Sequence, residues 1–137
     1  MKKFDYTTTE EHVNELAVQI TKIEGYLDSS TFDLLQDHLQ VLIDEKKFNL
    51  IVEFGQLNYI SSAGLGVLMG MLKEVRHNGG DLKLANMSSK VRNLFDMLGF
   101  SRLIRIYPDC EEAKQSFLTD QEERIASQDS STPEDEY

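Results

Sequence analysis

The chain has 137 residues, 40% of them apolar and 28% charged, with a net charge of −10. That is enough for one domain with its own core, and the negative balance argues against nucleic acid and anionic membranes while leaving a basic protein surface open as a partner. A single cysteine, Cys110, rules out an intrachain disulfide; with no apolar core in the opening Met1–Tyr6 stretch and no run of membrane-spanning length, a cytoplasmic protein is expected.

Residues 3–8 and 12–23 read as two strands. Val13, Leu16, Val18, Ile20 and Ile23 are apolar at mostly even spacing. Gly25 and Asp28 then mark a turn, and Asp28, Ser29 or Ser30 can cap the next helix, with Ser30 and Asp33 at capping-box spacing. Phe32, Leu35, Leu39, Leu42 and Ile43 form one helical face, and Lys46 and Lys47 suit its negative end. Leu50 to Phe54 is a short apolar run, as expected for a strand buried on both faces. A second helix is expected over Leu65 to Val75 and stops at Gly79-Gly80. Asp81 to Asn86 alternates as a strand. Ser88-Ser89 opens a third helix carrying Val91, Leu94, Phe95 and Leu98, with Gly99 past its end. Leu103 to Tyr107 is a last strand, and Pro108-Asp109 starts a short helix through Phe117. The order β-β-α-β-α-β-α-β-α predicts an α/β domain, a mostly parallel sheet of about five strands with helices packed against it.

Residues 1–118 are assigned to that domain and 119–137 to a tail. The tail holds seven acids (Asp120, Glu122, Glu123, Asp129, Glu134, Asp135, Glu136) against Arg124 alone, so it carries −6 of the −10. Such a segment is expected to be disordered and solvating, or a competitor for a basic partner surface.

The chemistry-bearing residues are sparse. His12, His38, His77 and Cys110 share no ligand spacing, so no metal site is expected. There is no Gly-x-Ser-x-Gly elbow, Ser61 and Ser62 have no base evident beside them, and Glu53, Asp81 and Asp96 stand alone; no enzyme is expected. Gly64, Gly66 and Gly70 approach a dinucleotide fingerprint. They fall inside the helix pattern instead of the turn before it, and the next strand ends Leu84-Ala85-Asn86 with no acid for a ribose, so no cofactor is expected. What remains is Tyr59-Ile-Ser-Ser-Ala-Gly-Leu-Gly66, two hydroxyls and two glycines where a helix begins. Helix starts carry unpaired N–H groups and partial positive charge. A serine there can cap the helix or, if exposed, accept a phosphate.

Several segments together resemble bacterial anti-sigma factor antagonists, the single-domain members of the STAS family, over roughly Lys3 to Phe117. Gly25-Tyr-Leu-Asp28 is similar to the family's Gly-x-Leu-Asp. Ile60 to Gly66 is similar to its phosphorylation motif, and Gly79-Gly80 and Val91 to Gly99 are also typical. The resemblance implies phosphorylation at Ser62, with Ser61 as the other candidate hydroxyl. Ser61 stands where many members have aspartate, and Glu53 where many have aspartate too. It further implies a partner surface of Asp28, Ser61, Ser62, Gly64 and Leu65, with Met69 near its edge. The implied partners are an anti-sigma factor serine kinase of the histidine-kinase-like ATPase fold and a metal-dependent serine phosphatase. The free protein is expected to be a monomer. A non-phosphorylated scaffold subunit of a larger assembly is the other reading, and a nucleotide-binding enzyme a distant third.

Overall fold

A computed structural model describes residues 3–131, with side chains described through residue 126. Five strands form one sheet in the order β1-β2-β3-β4-β5: β1 Phe4–Val13, β2 Leu16–Leu27, β3 Asn49–Ile60, β4 Asp81–Ala85 and β5 Ile106–Tyr107. β1 and β2 make an antiparallel hairpin from Phe4 opposite Gly25 to Val13 opposite Leu16. Asn14, at φ 57°, turns the chain in the left-handed region that asparagine tolerates. Every later pairing is parallel. The crossovers carry α1 Phe32–Asp44, α2 Ser62–His77 and α3 Ser89–Met97, and α4 Cys110–Ser131 closes the described chain. This is the α/β architecture expected, with the sheet mostly parallel.

Alternation along the central strands divides the core in two. Leu50, Val52, Leu82 and Leu84 pack with Leu35, Leu39, Leu68, Leu72 and Phe95, so α1, α2 and α3 share one face. Ile51 and Ala85 point the other way, where Val18 and Ile20 meet Ala113 and Phe117 of α4. Leu50, Ile51 and Val52 are all buried. A continuous apolar run is what a strand covered on both sides requires.

Several boundaries differ from the expectations. The hairpin strands run Phe4–Val13 and Leu16–Leu27 in place of 3–8 and 12–23, because His12 and Val13 pair across the turn with Ala17 and Leu16 and so belong to β1. β3 continues to Ile60, because β2 keeps pairing with it as far as Leu27–Ile60 after β4 has ended at Ala85. α2 begins at Ser62, three residues before Leu65. The last strand shrinks to two residues, since Gly99 (φ 81°) ends α3 in a tight turn through Phe100–Arg102 and only Ile106 and Tyr107 reach β4.

A further difference corrects the tail. α4 does not stop at Phe117 but runs to Ser131, so residues 119–131 are helical. The cause lies on β4. Lys83 points from the sheet to the α4 side and is 0% exposed. A buried ammonium must be paired, and α4 supplies the partners. Lys83 Nζ donates to Ser116 Oγ at 2.7 Å and Asp120 Oδ2 at 2.6 Å, and lies 4.3 Å from the centre of the Phe117 ring. Asp120 also receives Arg105 at 3.1 Å, and Arg124 donates to the Gly79 carbonyl at 2.8 Å. The first acid assigned to a solvating tail is thus the counter-ion of a buried lysine. Residues 132–137 of that segment lie outside the described residues.

Candidate functional site

The ends of β2 and β3 carry the two loops that the motifs singled out. Ser61 N–H donates to Leu27 O at 2.9 Å, which places the Asp28 turn beside the start of α2. In parallel α/β sheets, this carboxyl end of the strands is where ligands and partners are usually met.

The Asp28 turn is built from its own hydrogen bonds. Asp28 Oδ1 accepts from Ser30 N at 2.9 Å and Ser30 Oγ at 2.8 Å, and Lys3 Nζ pairs with Oδ2 at 2.8 Å. Lys3, followed by the two Ser30 donors, holds this carboxyl well below the usual carboxylate range, so it is charged at neutral pH. The Ser30–Asp33 capping box does not form. Thr31 is the N-cap residue of α1, and its Oγ1 is spent donating to Tyr26 O at 2.7 Å and accepting from Asp28 N at 2.9 Å. Ser30 Oγ is occupied by Asp28 and Lys3.

The two serines have opposite environments. Ser61 is the N-cap residue of α2, at φ −100° and ψ 176°, and its Oγ is enclosed without a hydrogen-bond partner. Ser62 is the first helical residue and is exposed. Only Ser62 therefore presents its hydroxyl to another molecule, next to the positive end of the α2 dipole. No acid lies in the first turn of α2. A negative group on Ser62 would meet unpaired N–H groups there and no helical carboxylate.

Gly64 and Leu65 do not belong to a surface. Leu65 is 2% exposed and part of the main core. A Cβ on Gly64 would sit 2.8 Å from Leu27 Cγ and 2.9 Å from Ile60 Cγ1, so its glycine serves close packing of α2 on the sheet. Both are buried in the free protein. Met69 is half-buried against the core edge. Asp28, Ser61 and Ser62 are brought together as expected, with Ser61 turned inward.

Sequence reasoning missed the exposed apolar groups of this end. Tyr26 and Tyr59 pair across β2 and β3, are each 48% exposed, and have ring centres 6.5 Å apart. Beside Tyr59, an apolar cleft of about 300 Å³ between β3 and α3 is lined by Ile60, Val91, Leu94 and Met97. Met97 is 79% exposed. The available signal was the pair of tyrosines one residue after Gly25 and two before Ser61. Their exposure depends on the β2–β3 register, which no local pattern gives. On α2, Gly66 and Gly70 are exposed with nothing within 4 Å of a Cβ and ordinary backbone angles.

The other chemistry-bearing residues lie elsewhere. Glu53 accepts from Gly55 N and, at 3.4 Å, from Asn86 Nδ2, in support of the β3–β4 end. His38 packs between α1 and the hairpin, with Nε2 2.5 Å from Thr8 Oγ1 and its ring 4.2 Å from the Tyr6 centroid. Burial pushes the Cys110 thiol up, so it stays protonated. Among the described residues no three His, Cys, Asp or Glu side chains converge as metal ligands. Among them, too, no helix is long and apolar enough to cross a membrane.

Comparison with known proteins fits this geometry. The STAS domain family matches residues 7–113. The chain is similar to the anti-sigma-B factor antagonist of Bacillus subtilis, 34% identical over 102 residues that cover 74% of this chain and 92% of the relative. Its fold is similar to that of an anti-sigma factor antagonist from Mycobacterium paratuberculosis, with TM-score 0.70 and 17% identity over 82% of this chain and 94% of that one. It is also similar to Bacillus SpoIIAA solved in the phosphorylated form, with TM-score 0.59 and 20% identity over 80% of this chain and 99% of that one. A family match across most of the chain, the fold and the Ile60–Gly66 helix start agree, and the chain belongs to the STAS domain family.

Proposed function

We propose that this protein is a cytoplasmic anti-sigma factor antagonist switched by phosphorylation on Ser62. Unphosphorylated and monomeric when free, it binds an anti-sigma factor that is a serine kinase of the histidine-kinase-like ATPase fold, and so frees a sigma factor. The kinase transfers the γ-phosphoryl group of ATP. The Ser62 Oγ–phosphorus bond forms, the bond to the ADP oxygen breaks, and the hydroxyl proton passes to a base on the kinase. A metal-dependent serine phosphatase restores the hydroxyl. The relative named an anti-sigma-B factor antagonist and the phosphorylated form of SpoIIAA support the reading.

The observation that carries it is the contrast at the α2 start: an exposed Ser62 hydroxyl beside a Ser61 hydroxyl that is enclosed. A phosphate adds about −1.5 to −2 charge. Within the monomer the helix start offsets that charge. Against a closely packed partner the same charge has nothing to pair with, so the complex fails while the fold persists. The partner face then comprises the Asp28 turn, Ser62, the Tyr26–Tyr59 pair and the Met97 cleft, with Met69 and exposed Gly66 alongside.

Incubation with ATP and the candidate kinase, followed by mass spectrometric mapping and affinity measurement, tests the reading. Phosphate on Ser62 and loss of the complex are expected. Phosphate on Ser61 would refute the site. A phosphorylated protein that binds as tightly as the bare one, or one that never accepts phosphate, would replace the switch with the scaffold-subunit reading.

A further inference from the structure

Ser61 is where the site leaves a polar atom unused. Its backbone is committed at both ends: the N–H donates to Leu27 O at 2.9 Å, and the carbonyl accepts from Leu65 N at 3.0 Å. Its dihedrals are those of an N-cap. A serine in that position ordinarily turns its oxygen onto the N–H of the second or third helical residue, here Ala63 or Gly64. Ser61 makes no such bond, and its Oγ is enclosed with no partner. Buried polar atoms without partners are rare and ask for a reason. The consequence is a helix start with no side-chain cap, directly before an exposed hydroxyl.

We propose that Ser61 is a positioning residue for the phosphate on Ser62: its hydroxyl is the donor that turns onto a phosphate oxygen once Ser62 is phosphorylated. This rests on the reading of Ser62 as the phosphoacceptor. The two backbone bonds hold the main chain of Ser61, which leaves rotation about χ1 as the movement that turns its hydroxyl. No hydrogen bond is broken in making it, because the hydroxyl has none in the bare protein. The bond gained is charge-assisted, with a neutral donor and an anionic acceptor. Charged groups on the neighbouring elements are Asp28 on the adjoining turn, Lys3 paired to it at 2.8 Å, and Lys90 of α3, which lines the cleft beside Tyr59 and Ile60, while the first turn of α2 has no acid. Asp28 is already negative, so a carboxylate at position 61 would add a second like charge against the phosphate, where the hydroxyl adds a donor.

The test installs phosphoserine at position 62 during translation, which needs no kinase, and follows its phosphorus NMR signal against pH. Removing a donor from the charged form raises a pKa, so Ser61→Ala should lift the second phosphate pKa by about half a unit above the unmutated phosphoprotein. Ser61→Asp should lift it further, and Ser61→Thr, which keeps a hydroxyl, should restore it. In the bare protein, Ser61→Ala should melt at the same temperature or slightly higher, since the hydroxyl bonds nothing there. Superimposable titrations for Ser61→Ala and the unmutated phosphoprotein overturn the proposal. So does a bare Ser61→Ala protein that melts markedly lower, which is the behaviour of an ordinary cap. If kinase treatment maps phosphate to another residue, the reading of Ser62 falls, while the titration of installed phosphate still reports on Ser61.

Discussion

Removing the Asp120 carboxylate should destabilise the domain far more than removal of a surface charge. Lys83 is 0% exposed and Asp120 24%, with 2.6 Å between their charged atoms. Breaking such a pair from one side leaves a buried ammonium without its counter-ion, at a cost of about 3–5 kcal/mol. The second bond of Asp120, to the exposed Arg105, adds about 0–1 kcal/mol. For a chain of this size, Asp120→Ala should therefore lower Tm by roughly 10 °C or more. Lys83→Met behaves differently. It replaces the charge with an apolar chain among Phe117 and Tyr107, and such replacements are about neutral or stabilising. The double variant should lie near Lys83→Met, with a coupling of about 2–4 kcal/mol from a double-mutant cycle. Urea unfolding by far-ultraviolet circular dichroism measures all four proteins. An Asp120→Ala cost below about 1 kcal/mol, the size of an exposed pair, would refute the reasoning and return residues from 119 on to a solvating tail.

Four further outcomes are expected. Ser62→Asp should hold or slightly raise Tm, since an anion at a helix start stabilises by about 0.3–1 kcal/mol, while affinity for the proposed kinase partner falls roughly tenfold or more; calorimetry of both quantities checks the opposite signs. Gly64→Ala should destabilise by about 1–3 kcal/mol through overpacking against Leu27 and Ile60, read from its denaturation midpoint. Gly66→Ala has open space, so it should stabilise by up to about 1 kcal/mol; if a partner backbone approaches α2 there, pull-down of the kinase should weaken in the same variant. Burial, offset by Glu45, lowers the His38 pKa below its ordinary 6.5. The unfolded chain then binds the proton more readily, so this stability is complete above about pH 6.5 and is lost as pH falls through and below that value. A Tm-versus-pH series should show that slope, and His38→Gln should flatten it.

Much of the architecture was legible because its signals are local. The Leu35-Leu39-Leu42 stripe announces α1 by helical period, Leu50 to Phe54 announces a buried strand by continuous apolarity, and Gly79-Gly80 and Gly99 announce helix ends. Ile60 to Gly66 pointed to a helix start in the same way. The residues of the proposed partner face were less legible. Gly64 and Leu65 lie in the motif beside Ser62, yet both are buried, because a helix turns successive residues through about 100° and sends these two inward. Tyr26, Tyr59 and Met97 carry no local mark of exposure. They meet through strand register and the packing of α3, which are relations between distant segments.

By itself, then, the sequence determined the element order, the mostly parallel sheet, the identity of the motif and the two candidate hydroxyls. Those depend on periodicity and on helix-end chemistry within a few residues. Only the tertiary structure decided which hydroxyl is presented, since exposure of Ser62 and enclosure of Ser61 follow from docking α2 on the ends of β2 and β3. It also decided that α4 continues past Phe117. The acids after Phe117 look like a solvated run until Lys83, far back in the chain on β4, is found buried opposite Asp120. A charge with no water around it draws its partner from wherever the fold brings one, and composition along the chain does not record that distance.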